Sequence, residues 1–215
     1  MATERTDKLT ESLHELYQTR GDLLFHGWHH IFFVTKKAVE FADEFPDVDK
    51  ELVEAAALTH DLNYVVEVNT EPEAGRKLRA QYLADAGFAP PDEIAQIERI
   101  VMEEHTATRH ADISDAAKAL SDADSLFKIM PLTPIFFSSK YIAENRVDVY
   151  RWADKIIKEQ KPLLEQGIYF YTRTARQKYL HWAEMNLELV EEVQAALEDP
   201  DFAEMLVIAR ELEVL

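Results

Sequence analysis

The chain contains no cysteine, so it can form neither a disulfide nor a thiolate metal site, and zinc-finger chemistry is excluded. Glycine is scarce too, at five in 215 residues, which argues against a turn-rich sheet protein and for helices. No stretch approaches the roughly 20 apolar residues that span a bilayer, and Met1 to Asp7 lacks the apolar centre of a secretion signal. Together with the missing cysteines, these absences lead us to expect a soluble protein of the cytoplasm. Positive charge is also in short supply: 23 Lys and Arg face 41 Asp and Glu, a formal charge of −18 at pH 7. Such a field repels nucleic-acid backbones and anionic membrane surfaces, so neither polymeric nucleic acid nor a membrane is an expected partner. A small phosphate ester stays open, because it needs only a local basic cluster and salt confines the remaining field to about 10 Å.

What the chain does have is helical periodicity. Apolar residues make up 47% of the sequence, enough for one well-buried core, and we expect a single all-α domain over 1–215. Spacings of three and four place helices near 5–19, 29–45, 49–63, 72–87, 91–107, 113–130, 134–145, 147–166, 172–197 and 201–213. Pro46 to Asp49, Gly87, Pro90-Pro91 and Asp199-Pro200 punctuate them. Pro131 and Pro134 bracket an irregular connection, and the following segment, Ile135 to Tyr141, is either a lid beside a site or an ordinary core-packing link.

Several polar groups interrupt the apolar stripes. His30 continues the row Val34, Ala38, Phe41; His60 follows Val53 and Ala56; Asp124 lies between Leu120 and Phe127; and His105 follows Ile97 and Val101. A carboxylate on a core-facing position costs several kcal/mol unless something compensates it. Imidazole nitrogen with carboxylate oxygen suits one divalent transition metal such as Fe, Mn, Co, Ni or Zn, whereas calcium prefers oxygens alone. His60 and Asp61 are consecutive, so on a helix they diverge by about 100°, and an ion in the groove between them is reachable by both. The expected ligands are therefore His30, His60, Asp61 and Asp124. Asp122 competes with Asp124 from another face of the same helix and is better suited to supporting a ligand or capping locally.

The motifs Phe25-His26-Gly27-Trp28-His29-His30, Ala55 to Leu62 around His60-Asp61, Ile100 to His105, and Leu120-Ser121-Asp122-Ala123-Asp124-Ser125-Leu126 together resemble the HD superfamily of metal-dependent phosphohydrolases. The resemblance implies a compact HD-type helical core over about 25–130, with additional C-terminal helices over about 131–215. It implies hydrolysis of a small phosphorylated metabolite or nucleotide by metal-activated water, with His26 as a proton donor to the leaving group. His105 is a second donor, a ligand to a second ion, a phosphate contact or a structural histidine. Arg76, Arg109 and Lys128 are the candidate phosphate-binding cations, or simply solvated charges.

Two departures from the family pattern stand out. Asn63 to Glu104 contains no histidine, so a second metal lacks its usual ligand, and Glu67, Glu71 and Glu73 are the carboxylates near enough in sequence to replace it. Three residues after Asp61, where members with one metal often carry an acid, stands Tyr64, which leaves the water-activating base unassigned. Alternative readings are therefore a di-iron oxygenase of the same superfamily and a non-catalytic, metal-stapled nucleotide-binding module. The aromatic run Ile168 to Tyr171 is either core or a homodimer patch.

Overall fold

The computed structural model describes residues 3–89, 91–105 and 112–214, and among them there is no strand. The helices are α1 (Glu4–Gln18), α2 (Trp28–Ala42), α3 (Lys50–Thr59), α4 (Leu62–Val66), α5 (Arg76–Ala86), α6 (Asp92–Glu104), α7 (Asp115–Ile129), α8 (Ser138–Asn145), α9 (Val149–Glu165), α10 (Arg173–Glu198) and α11 (Pro200–Glu211). The all-α expectation holds. No described helix is long and apolar enough to cross a membrane.

Local chemistry starts and stops these elements. Thr3 and Thr6 form a reciprocal capping box on α1; Asp49, Ser114, Asp148 and Thr172 accept backbone N–H groups at the starts of α3, α7, α9 and α10. Gly87 ends α5 at φ 102°, a left-handed conformation that costs a side-chain-bearing residue. A 3₁₀ turn over Pro72–Gly75 leads into α5, and a π-helical turn over Thr133–Phe137 leads into α8.

The centre is α2, which packs most extensively on α7 and then on α3. Ile31, Val34, Ala38 and Phe41 of α2 meet Val53, Ala56 and Ala57 of α3, Ile97 and Val101 of α6, and Ala119, Leu120, Ala123 and Phe127 of α7. The alanines let helix axes approach closely, and each large side chain removed from water contributes about 1.5–3 kcal/mol. Tyr169 and Phe170 are buried in this core, so that aromatic run packs inward. A second, smaller cluster of Trp152, Ala153 and Val190 joins α9 to α10.

The expected helix over 49–63 is broken. α3 ends at Thr59, His60 caps it, and Asp61 (φ −97°, ψ 18°) opens the short α4. Tertiary partners cause the break. The fully buried Arg79 donates to the carbonyls of Thr59 (2.9 Å), His60 (3.3 Å) and Pro72 (2.9 Å), and its charge is met by Glu98 at 2.6 Å. Gly75 makes room for the kink, since a Cβ there would stand 2.6 Å from the Asn63 backbone nitrogen. Arg79 thus caps the α3 carbonyls that sequence periodicity alone would have passed to a continuing helix.

Candidate metal centre

The kink changes what the His60-Asp61 pair can do. His30 Nε2 from α2 lies 3.1 Å from His60 Nε2, and Asp61 Oδ2 lies 3.0 Å and 3.2 Å from these two nitrogens. Asp124 on α7 brings Oδ1 to 3.6 Å from His30 Nε2. Donor atoms of His30, His60 and Asp124 all fall within 4.8 Å of one another, a group that could hold a metal ion. Bonds of about 2.1 Å to one ion put adjacent ligand atoms about 3.0 Å apart at right angles and about 3.4 Å apart at tetrahedral angles, so the observed edges have the size of a coordination shell.

The polar atoms themselves fit such an ion. Despite its closeness to both imidazoles, buried Asp61 Oδ2 has no hydrogen bond of acceptable geometry. His60 donates Nδ1–H to the Ala57 carbonyl at 2.8 Å, which orients the ring and leaves Nε2 as the nitrogen that faces the cluster. Burial disfavours charge on both rings and holds His30 below its ordinary pKa. For His60 the adjacent Asp61 carboxylate outweighs burial and lifts the ring to about 9. Asp61, although buried, is driven well below the usual carboxylate range by His60 and His30. Charge of both signs is thus concentrated where imidazoles and carboxylates face each other.

His60, Asp61 and Asp124 of the cluster line a cavity of about 550 Å³ that His26, Tyr64, Glu71, Glu104, His105, Lys128, Tyr141 and Lys155 also border, with His30 buried beside them. Lys128 donates to Asp124 Oδ2 at 2.6 Å, so a cation stands beside the candidate centre. Burial opposes its charge, but Asp124 raises its pKa. His26 precedes α2, where Gly27 is the N-cap, and sits on a ring stack with Tyr64 at 3.6 Å between centroids. Its Nδ1 pairs with Glu144 of α8. Glu144 also accepts the Phe25 N–H at 2.7 Å and the His26 N–H at 3.2 Å. His26 Nδ1 is therefore occupied, which leaves Nε2 for the cavity.

Other candidates are placed differently. Asp122 is fully buried but faces away: it accepts Tyr171 N–H at 2.9 Å, Thr172 N–H at 2.7 Å and the Thr172 hydroxyl at 2.8 Å, tying α7 to the start of α10. Arg76 donates to Glu98 at 3.0 Å, is largely exposed and does not border the cavity, so it stands outside the site. α6 ends at Glu104, which puts His105 past the helix rather than on its buried face; its ring borders the cavity 3.9 Å from Glu71. Arg109 lies outside the described residues. Phe137 stacks on His29 at 5.0 Å, whereas Ile135 and Phe136 are exposed, so the connection after α7 is partly wall and partly surface.

Sequence reading missed Glu104, Glu144 and Lys155. Glu104 carried a signal, since it extends the buried row Ile97, Ile100, Val101 by one more step of three. Glu144 and Lys155 carried none, because only the folding back of α8 and α9 brings Glu144 to His26 and Lys155 to the cavity.

The HD domain family model matches residues 27–128, the stretch that holds His30, His60, Asp61, Glu104, Asp124 and Lys128. No curated protein matches the chain. Among solved structures it is similar to Bacillus subtilis YpgQ, determined in complex with ADP, with a TM-score of 0.61 at 21% identity over 92% of this chain and 99% of that one. A Lactobacillus plantarum protein is similar with a TM-score of 0.64 at 18% identity, over 91% of this chain and 98% of that one. At these identities the likeness is one of fold. The family match itself lies on the residues whose side chains converge, and residues 27–128 carry an HD domain.

Proposed function

We propose that the protein is a metal-dependent phosphohydrolase acting on a small phosphorylated metabolite or nucleotide, with His30, His60, Asp61 and Asp124 as ligands of one divalent transition metal. The observation that carries this reading is the convergence of the His30 and His60 Nε2 atoms and the donor-poor Asp61 Oδ2, at 3.0–3.2 Å from one another, where His60 and Asp61 line a cavity with Lys128. When bound, the metal supplies a Lewis acid that lowers the pKa of a coordinated water from about 15.7 toward 7 and polarises the phosphoryl group.

The chain's own residues divide the remaining work. Lys128 balances charge that accumulates on phosphoryl oxygens, and Lys155, which donates to the Tyr141 hydroxyl at 2.7 Å, offers a further cation on the same cavity. His26, held through Nδ1 by Glu144, gives a proton from Nε2 to the leaving oxygen. Because α8 and α9 contribute Tyr141 and Lys155 to this wall, and Glu144 of α8 holds His26, the C-terminal helices complete one domain with the HD core. YpgQ's complex with ADP makes nucleotides the first substrates to try.

Elemental analysis of protein purified without chelator, beside Asp61→Ala, tests the reading when the same samples are screened with nucleotides and phosphate esters. About one transition metal per chain, lost in the variant together with phosphate release, is the expected result. Two irons with oxygen-dependent spectral change would instead indicate an oxygenase. Bound metal with tight nucleotide binding and no turnover would indicate a binding module, the alternative that Tyr64, in place of an acid, favours.

A further inference from the structure

Among the buried carboxylates, Glu104 is the exception. Asp122 accepts three protein donors, Glu144 is held by two backbone N–H groups and His26, and Asp124 has Lys128. Glu104 is 7% exposed and, among the described residues, makes no hydrogen bond or ion pair, yet it borders the cavity with His60, Asp61 and Asp124. A buried carboxylate without a donor is costly, and natural proteins retain one where a water or ligand supplies the donor. The donor it lacks is the one a water on the candidate metal would offer.

We propose that Glu104 is the base that accepts the proton of the attacking water, the role left open by Tyr64. The inference rests on the hydrolase reading above. As the water oxygen's lone pair forms the new O–P bond, its proton passes to the Glu104 carboxylate. The P–O bond to the leaving group breaks, its electron pair remains on the leaving oxygen, and His26 protonates that oxygen. Glu104 then releases its proton to solvent and His26 regains one, so the net change is water plus phosphate ester giving phosphate plus the free leaving group. Position also fits: Glu104 ends α6 on the same buried face as Ile97, Ile100 and Val101, a rigid mount. The groups that border the cavity with it are His60 and Asp61 at the α3–α4 kink and Asp124 and Lys128 on α7.

The test compares Glu104→Gln with wild type for metal content, melting temperature in chelator, and turnover of ADP and p-nitrophenyl phosphate across neutral pH. We expect unchanged metal content, a melting temperature in chelator at or above wild type, a fall in kcat of about 100-fold or more, and loss of the ascending limb of the pH profile. Glu104→Asp should restore part of that limb. Turnover within a few-fold of wild type overturns the assignment while leaving the hydrolase reading standing. Loss of metal with activity makes Glu104 a ligand, and a lowered melting temperature makes it a structural tie; either result overturns the base role. Wild-type protein that holds metal but turns over neither probe defeats the hydrolase reading, and the base role with it.

Discussion

Asp122 and Asp124 stand two residues apart on α7 and face different surroundings. Asp122 looks toward the start of α10, where two backbone N–H groups and a hydroxyl meet it at 2.7–2.9 Å. Asp124 looks toward the cavity, where its neighbours are the imidazole of His30 at 3.6 Å and the ammonium of Lys128 at 2.6 Å. The same contrast recurs between Glu144, held by two backbone N–H groups and His26, and Glu104, which has no protein donor among the described residues. A buried carboxylate with a full set of protein donors is a structural tie. One that lacks them implies a group from outside the chain, because desolvating an unpaired charge costs several kcal/mol.

Substitutions on the two sides of this contrast should separate accordingly. The largest effect is expected at Asp61→Ala: metal affinity should fall by more than about 100-fold, beyond what loss of a mere supporting residue costs, and turnover should vanish with it. Equilibrium dialysis with elemental analysis reads this, and retained stoichiometric metal would break the contrast at its strongest point. Glu144→Gln comes next. The amide can no longer draw the His26 proton as a carboxylate does, so kcat should drop about 10- to 100-fold while metal content stays the same. A change in KM alone, with kcat intact, would remove His26 from the proton-donor role.

Asp122→Asn should do the opposite, leaving metal and kcat untouched while costing about 2 kcal/mol of stability, the value of hydrogen bonds to a charged acceptor. Urea unfolding measures this directly. The smallest effect is expected at Glu44, which accepts the Arg173 N–H at 2.9 Å and pairs with the Thr174 N–H at the α10 start. Those bonds outweigh partial burial and depress its carboxyl below the ordinary 4.5. A depressed carboxyl contributes stability that is present above its unfolded pKa and lost as pH falls through the folded one. Glu44→Gln should therefore reduce acid sensitivity below about pH 4.5 by a few tenths of a kcal/mol, seen as a shallower loss of melting temperature on acidification.

Legibility in the sequence followed the same physical division. His30, Asp124 and the His60-Asp61 pair were readable because helical periodicity makes a polar residue on an apolar face conspicuous; His30, His60 and Asp124 bring donor atoms together, and Asp61 stands 3.0 and 3.2 Å from the two imidazoles. Glu104 is legible from its spacing to Ile97, Ile100 and Val101, whereas its neighbour His105 falls past the helix end, a boundary that periodicity does not mark. Arg76 is a cation close in sequence to the ligand-bearing segments, but its partner Glu98 is on another helix, a pairing that spacing does not encode.

Period and composition by themselves determined that the chain is helical, where most helices start and stop, and which polar residues sit where water is excluded. These are local properties, set by side-chain volume, caps and the 3.6-residue turn. Tertiary structure decided the rest. The break between His60 and Asp61 exists because Arg79, distant in sequence, takes the carbonyls that would continue α3. His26 acquires its orientation from Glu144 on α8, and the cavity acquires Lys155 from α9. Whether a buried carboxylate is tied or left open depends on donors contributed by segments far along the chain, and no local pattern carries that information.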